Sequence, residues 1–441
     1  MRTGSAQGGL DLNVRGLTKG LASSQSETSA ARWRLATGAG LAALAVAVCA
    51  PGVAAAQAAA LGGPDKPFTL GLQEITAYDS NAARGNTENA AIRGIRPDDV
   101  TFSPSVTAVY SRSVGLQGLA LNANFGYDYH PNNDSLNREH LGFSAVGNVA
   151  VGTLCSVGGE ADYNRAQSAL DTLTVNVTQN TIQTYTISGS ENCRTSGGLT
   201  ENVQLSHSTT QNSNAGLVDF DVNSVSGLIG YTNSTIGTVG LTVSYGRTSY
   251  GSDPLQLGST PDLMDVTSVG VQLSRPIGAR LTGSISLAYS HSADRPRPGA
   301  PVLGESSFSG LTSSVALSYL VGPRLRLNTH VARDVSASLL AGVGHSVVTS
   351  ADLEADYTVS SRITASLGGS WSHTDYEGLD PFVIQTTPKW QELSTFFART
   401  SMTFGRRWAA SLEYRLTEGR ADLSLYNYVS NYVGLTLSTS L

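Results

Sequence analysis

Charged side chains in the second half of the chain recur at alternate positions, which is a spacing that can build a polar surface. The set comprises Arg280, Arg326, His330, Asp352, Glu354, Asp356, Arg362, Glu413 and Arg415. In a β-strand, residues two apart share a face and lie about 6–7 Å from each other. Facing rows of acidic and basic side chains would create a transverse field across a pore and orient charged solutes. Alternatively, these side chains pair with each other and fill an interior without selecting a solute.

The elements that carry these charges are alternating runs. Residues 281–289 show the pattern, because one face holds Leu281, Gly283, Ile285, Leu287 and Tyr289. Small and hydroxyl-bearing residues occupy the other face. Alternation with period two indicates a β-strand with one apolar and one polar side.

Repetition of this unit predicts eighteen strands, with sixteen as the competing count. The predicted strands are 67–79, 100–112, 117–130, 138–152, 155–169, 178–193, 197–211, 218–233, 236–249, 262–275, 279–292, 308–321, 324–335, 343–359, 362–374, 389–404, 407–418 and 426–441. Short Gly-, Pro- and Ser-containing turns alternate with longer polar loops between them. This pattern predicts an all-β fold, namely a closed antiparallel transmembrane β-barrel with both termini on the periplasmic side.

Composition and the N-terminus agree with an exported barrel. Of 441 residues, only 14% are charged and the net charge is −6, while mean hydropathy is −0.07. A barrel explains near-neutral hydropathy because half of each strand faces lipid and half faces a wet lumen. Residues 1–56 are predicted to be a signal peptide, 57–66 a periplasmic linker and 67–441 the barrel. The sequence contains no basic patch with interleaved aromatic residues, which is the pattern that would indicate nucleic-acid binding.

Two cysteines follow the predicted signal peptide. Cys155 and Cys193 fall at the periplasmic ends of one predicted hairpin, and the periplasm favours disulfides. We expect a cross-strand disulfide between them; the alternative is a pair of thiols whose Cα atoms stay more than about 7 Å apart.

Enzymatic motifs are missing from the sequence. A hydrolase would need a serine or aspartate nucleophile with a positioned histidine, and neither G-x-S-x-G nor H-E-x-x-H occurs. Asp352, Glu354 and Asp356 could hold a cation, but repulsion and solvation explain their spacing as well. We therefore expect no catalytic residue, no cofactor and no metal site, with an outer-membrane hydrolase as the less favoured alternative.

Several short segments resemble the β-barrel porin type 2 family. They are Val315–Tyr319 followed by Gly322–Arg324, Ala351–Tyr357 followed by Ser361-Arg362, Ala410–Arg415, and Thr76–Asn81 near the start. The resemblance implies an outer-membrane barrel associated with exopolysaccharide synthesis and export, and no catalytic residues.

The sequence therefore predicts a porin-like channel in the cell outer membrane that passes polar solutes, with exopolysaccharide as the implied cargo. The alternative is a closed barrel with a structural or adhesive role at the surface. The expected partners are outer-membrane lipid and lipopolysaccharide, the outer-membrane assembly machinery and polysaccharide export components, without nucleic acid.

Overall fold

Eighteen antiparallel strands close on themselves in this protein. The computed structural model describes residues 67–168, 170, 179–214, 216–251, 262–295, 307–340, 342–378 and 386–441. The predicted signal peptide and the linker lie outside the described residues. Each strand pairs with its neighbours along the chain, and β1 also pairs with β18, which closes the barrel. The prediction of eighteen strands is confirmed, and the count of sixteen is wrong.

The strands have similar lengths. They are β1 Phe68–Asp79, β2 Asp99–Val114, β3 Gln117–Asp128, β4 Arg138–Val151, β5 Cys155–Gln167, β6 Thr181–Arg194, β7 Leu199–Asn212, β8 Phe220–Asn233, β9 Gly237–Tyr250, β10 Leu263–Ile277, β11 Leu281–Arg295, β12 Ser307–Leu320, β13 Leu325–Ala337, β14 His345–Thr358, β15 Ile363–Glu377, β16 Trp390–Phe404, β17 Trp408–Ala421 and β18 Tyr428–Ser440. One short helix, α1 (Thr87–Arg93), lies between β1 and β2. Within the described residues, no helix has the length and hydropathy of a membrane span.

Alternation along each strand separates an outer face from an inner face. On β10 and β11 the apolar phase is strongly exposed, with Val269 57% and Leu287 49% accessible. In the opposite phase, Met264 and Val266 of β10 are buried and belong to one cluster with Leu339, which lies between β13 and β14. Side chains from strands that are not neighbours, here β10 and the tip of the β13–β14 hairpin, meet in this way only inside the barrel. The apolar phase is therefore the outer surface, and the polar phase faces the lumen.

Short turns join the strands at one end of the barrel and longer loops join them at the other. At what we call the turn end, Gly115 (φ 58°) and Gly405 (φ 70°) adopt left-handed backbone conformations, which glycine reaches without steric cost. Both described termini, at β1 and β18, also lie at the turn end. We call the opposite end the loop end.

Cys155 and Cys193 lie directly opposite each other on β5 and β6. Their sulfur atoms form a disulfide, and their Cα atoms are 4.1 Å apart. The bond joins these neighbouring strands at the turn end, on the outer face of the wall.

Candidate functional site

Seven of the predicted pore residues lie in the lumen-facing phase of three strands. These are Arg326 and His330 on β13, Asp352, Glu354 and Asp356 on β14, and Glu413 and Arg415 on β17. The other two are in turns. Arg280 precedes β11 and Arg362 precedes β15, and both are exposed at the turn end.

The three acidic residues of β14 form a row, which we call the β14 acidic row. Asp352 lies 3.6 Å from Nδ1 of His330 on the neighbouring strand. Asp356 accepts hydrogen bonds from the Ser366 hydroxyl at 2.6 Å and, at 3.4 Å, from the Asn328 amide. Among the described residues, no arginine or lysine forms an ion pair with this row. The hydrogen-bond and ion-pair partners of Asp352 and Asp356 are thus a partly exposed histidine and neutral groups, so no cationic side chain in direct contact neutralises the row among the described residues.

Glu413, in contrast, is neutralised by two arginines. Arg399 of β16 contacts one carboxylate oxygen through Nη2 at 2.7 Å, and Arg415 contacts the other through Nη2 at 2.5 Å. The two guanidinium groups lie over the rings of Phe397 and Tyr432. With two arginines and one carboxylate, this cluster adds a positive patch to the wall that lies two to three strands away from the β14 acidic row.

Arg399 was missed by sequence reasoning. Its strand places Leu393 and Phe397 in the same lumen-facing phase, so the hydropathy of β16 does not identify the polar side. The available signal lay in the next strand. Arg399 is paired with Glu413 of β17, and paired residues share a face, so the clear alternation of β17 assigns Arg399 to the lumen side.

Loops from several sides of the barrel meet at the loop end. Buried apolar side chains from the loops after β1, β3, β5, β7 and β13 form one group, which we call the mouth cluster. It contains Ala83, Ala90, Ile95, Leu136, Leu170, Leu217, Leu340 and Val343, with Ala82 and Tyr376 packed against it. Loops that begin at distant points on the rim can share a core only by extending over the lumen. These loops therefore extend over the mouth.

Polar contacts tie the mouth cluster together. The buried guanidinium of Arg93 on α1 donates to the carbonyl oxygens of Ala83 at 2.7 Å and Leu170 at 2.8 Å. The amide of Asn89 donates to the carbonyl oxygen of Leu425, in the loop between β17 and β18, at 2.8 Å. Buried carbonyls that lost these donors would carry a desolvation penalty, so the contacts favour one arrangement of the loops.

The tip of the β13–β14 hairpin also leaves the wall. Pairing between β12 and β13 ends at Ser313 and Arg333, although β13 continues to Ala337 and pairs fully with β14. Beyond that point, Ala337 packs in the buried cluster of the inner wall. Leu340 then forms an antiparallel bridge with Leu217, in the loop between β7 and β8. The hairpin thus lies inside the rim and narrows the lumen.

Two other loops have a composition that could constrict or cap the mouth: 293–307, which contains three prolines, and 375–388, which contains Tyr376, Pro381, Phe382 and Ile384. Residues 296–306 and 379–385 lie outside the described residues. Within the second segment, Tyr376 packs against the mouth cluster. The loops that the structure does place across the mouth follow β1, β3, β5, β7 and β13.

Two groups resemble catalytic or metal sites without the required geometry. His130 contacts both Asp99 (2.8 Å) and the Thr101 hydroxyl (3.3 Å), but through the same atom, Nδ1. A general base instead uses one nitrogen for the nucleophile and the other for its orienting partner. Cys155, Cys193 and Glu191 come close together, but the sulfur atoms are already joined in the disulfide and are not thiolate ligands.

Comparison with known proteins yields similarity of chain path only. No protein-family profile matches this chain, and no curated protein does. The solved structures similar to it include the FrpB iron transporter from Neisseria meningitidis (9% identity, TM-score 0.45, covering 81% of this chain and 63% of that chain). Another is OccK2 (OpdF) from Pseudomonas aeruginosa (12% identity, TM-score 0.45, covering 85% of this chain and 98% of that chain). A third is the siderophore receptor PirA from Pseudomonas aeruginosa (10% identity, TM-score 0.40, covering 86% of this chain and 81% of that chain). The chain thus spans less than two thirds of the FrpB chain. The resemblance to the β-barrel porin type 2 family stays a prediction.

Proposed function

We propose that this chain is an outer-membrane channel for small polar solutes that favours cations. In lipid every backbone polar group must be paired internally, and a closed barrel meets that condition. The outer face supplies an apolar surface, in which Leu353 is 54% and Leu412 56% accessible. Short turns face the periplasm and long loops face outward in such barrels, so the turn end is periplasmic and the mouth cluster extracellular.

The β14 acidic row, facing the lumen below the mouth, carries this proposal. An eighteen-stranded barrel is wide enough for an aqueous lumen unless side chains or loops fill it. Carboxylates on the wall of such a lumen raise the local concentration of cations and lower that of anions. The mouth cluster lies across the path, so solutes pass only when the loops move. The channel is therefore gated at its outer end.

Single-channel recording in a planar bilayer tests the proposal. We expect discrete current steps separated by long closed periods, with a reversal potential in a salt gradient that shows cation preference. A protein that is folded, as judged by a heat-dependent shift in gel mobility, but passes no current would overturn the channel. It would favour the closed barrel with a structural or adhesive role.

A second proposal is passage of a polysaccharide, which the family resemblance implies. Phe397 and Tyr432 face the lumen beside Arg399 and Arg415, and aromatic rings offer apolar faces for sugar rings. The measurement is the amount of polysaccharide that cells secrete. Wild-type cells are compared with cells that lack the gene, and with deletion cells that carry a Phe397→Ala/Tyr432→Ala variant. Export that is unchanged by deletion would rule this cargo out.

A further inference from the structure

A groove of about 670 Å³ lies in the wall between β2 and β5, near the turn end. Its lining includes Arg112, Gln117, Leu119, Gly147, Val149 and Val157. The strand alternation places Arg112, Leu119 and Val157 in the exposed apolar phase. The groove therefore opens on the outer surface of the barrel and not into the lumen.

Glycines form the floor of the groove. Gly147 of β4 and Gly159 of β5 line the groove and are paired with each other, and Gly159 is also paired with Gly189 of β6, beside the groove. All three occupy the outward phase, so three adjacent positions on the wall carry no side chain. Leu119 and Val157 stand beside this floor with 45% and 43% of their surface accessible. The result is a depression in the outer wall with apolar sides.

The end of the groove near the turns is polar and cationic. Arg112 is two residues from the end of β2 and is exposed, and Gln117 begins β3 across the turn. In the part of the chain that the structure describes, no carboxylate forms an ion pair with Arg112. Long arginine side chains at this depth extend toward the membrane surface, where lipid phosphates lie.

We propose that this groove binds one glycerophospholipid of the periplasmic leaflet. The phosphate accepts hydrogen bonds from the Arg112 guanidinium, and an acyl chain lies on the glycine floor between Leu119 and Val157. The match is between an amphipathic groove and an amphipathic ligand, with the cation at the depth of the headgroup. The inference rests on the membrane location in the proposed function but not on ion conduction.

Two variants and two matched controls test the site. Gly159→Leu fills the floor. Its control is Gly227→Leu, because Gly227 is an outward glycine on β8 away from the groove. At both positions a Cβ atom would meet nothing closer than 3.8 Å. Arg112→Gln removes the cation. Its control is Arg275→Gln, since Arg275 is also outward and two residues from the turn end of β10.

The assay is native mass spectrometry of the folded protein from uncharged detergent micelles, titrated with phosphatidylglycerol. We expect one lipid bound to the wild type, at least fivefold weaker binding for Arg112→Gln, no retention by Gly159→Leu, and wild-type binding for both controls. Equal retention by Gly159→Leu and Gly227→Leu would overturn the site. A wild-type dimer lost only in Gly159→Leu would also overturn it, because a second copy would then occupy the groove. A barrel that binds lipid but is silent in a bilayer would contradict the channel and leave this inference standing.

Discussion

Neutralising the β14 acidic row should weaken cation preference by an amount that the geometry sets. The variant Asp352→Asn/Glu354→Gln/Asp356→Asn removes three charges that face the lumen and have no arginine or lysine ion pair among the described residues. The amides keep the size of the side chains, and the paired strands β13 and β15 remain in register with β14. The change is therefore electrostatic and leaves the pore width as it is.

The magnitude follows from Coulomb's law with screening. An ion near the axis of a barrel of this size is about 10 Å from the wall charges, and each contributes about 0.4 kcal/mol in unscreened water. At 0.1 M salt the screening length is about 10 Å, so three charges give about 0.5 kcal/mol. This energy raises the concentration of a cation in the pore about twofold and lowers that of an anion about twofold. The cation-to-anion permeability ratio should fall about fourfold to fivefold at 0.1 M, and about twentyfold at 0.01 M.

Reversal potentials across a planar bilayer with a salt gradient measure this ratio. Glu201→Gln is the control, because Glu201 is exposed in the outward phase of β7 near the turn end and its loss should leave the ratio unchanged. The reasoning would be refuted by an unchanged ratio in the triple variant at both salt concentrations, or by an equal change in the control.

Three further predictions concern the mouth, the disulfide and the orientation of the wall. Leu340→Asp places a carboxylate in the mouth cluster and should raise the mean current several-fold in bilayer recording; an unchanged current would show that the cluster does not close the pore. Cys155→Ser/Cys193→Ser removes a cross-link over 38 residues and should lower the free energy of unfolding by about 4 kcal/mol, measured in urea, with no further effect of reductant. Leu287→Arg puts a charge on the outer face and should cost about 2–4 kcal/mol, whereas Ser286→Arg on the lumen face should cost far less. Equal losses would contradict the assigned faces.

Strand alternation made the wall predictable where apolar residues are regular. The face of residues 281–289 that carries Leu287 and Tyr289 is the outer face of β11, as its exposure shows. Alternation is diluted before residue 220, and β6 is an example, since Ser, Gly and Asn interrupt its pattern. The number of strands was still predictable in this region because short turns and long loops alternate along the chain. An even number of strands also returns the chain to the side of the membrane on which it began.

The mouth was not predictable from local patterns. Arg93, Leu170 and Leu340 are far apart in sequence, and their contacts depend on how the loops extend over the rim after the barrel closes. The available signal was an apolar residue in a polar loop, as at Leu217, which is buried here. Period-two patterns specify which face a strand residue takes, but they carry no information about loop direction.

The lumen residues show the same limit at the strand ends. The structure places Asp352, Glu354 and Asp356 on one face of β14, as their alternation predicts. Phase alone does not show where a strand begins, and Arg280 and Arg362 lie in turns, each one residue before its strand. An arginine in a turn is exposed to solvent, whichever face of the strand the alternation would assign to it.

Closing the mouth by a covalent bond tests the central claim most directly. Leu217 and Leu340 are bridge partners, and directly opposed residues bring their Cβ atoms to about 4.5–5.5 Å, close to disulfide geometry. Single-channel currents of Leu217→Cys/Leu340→Cys should be absent when oxidised and restored by reductant, while reductant leaves wild-type currents unchanged. Full current through the oxidised, cross-linked protein would contradict a gated channel closed by these loops.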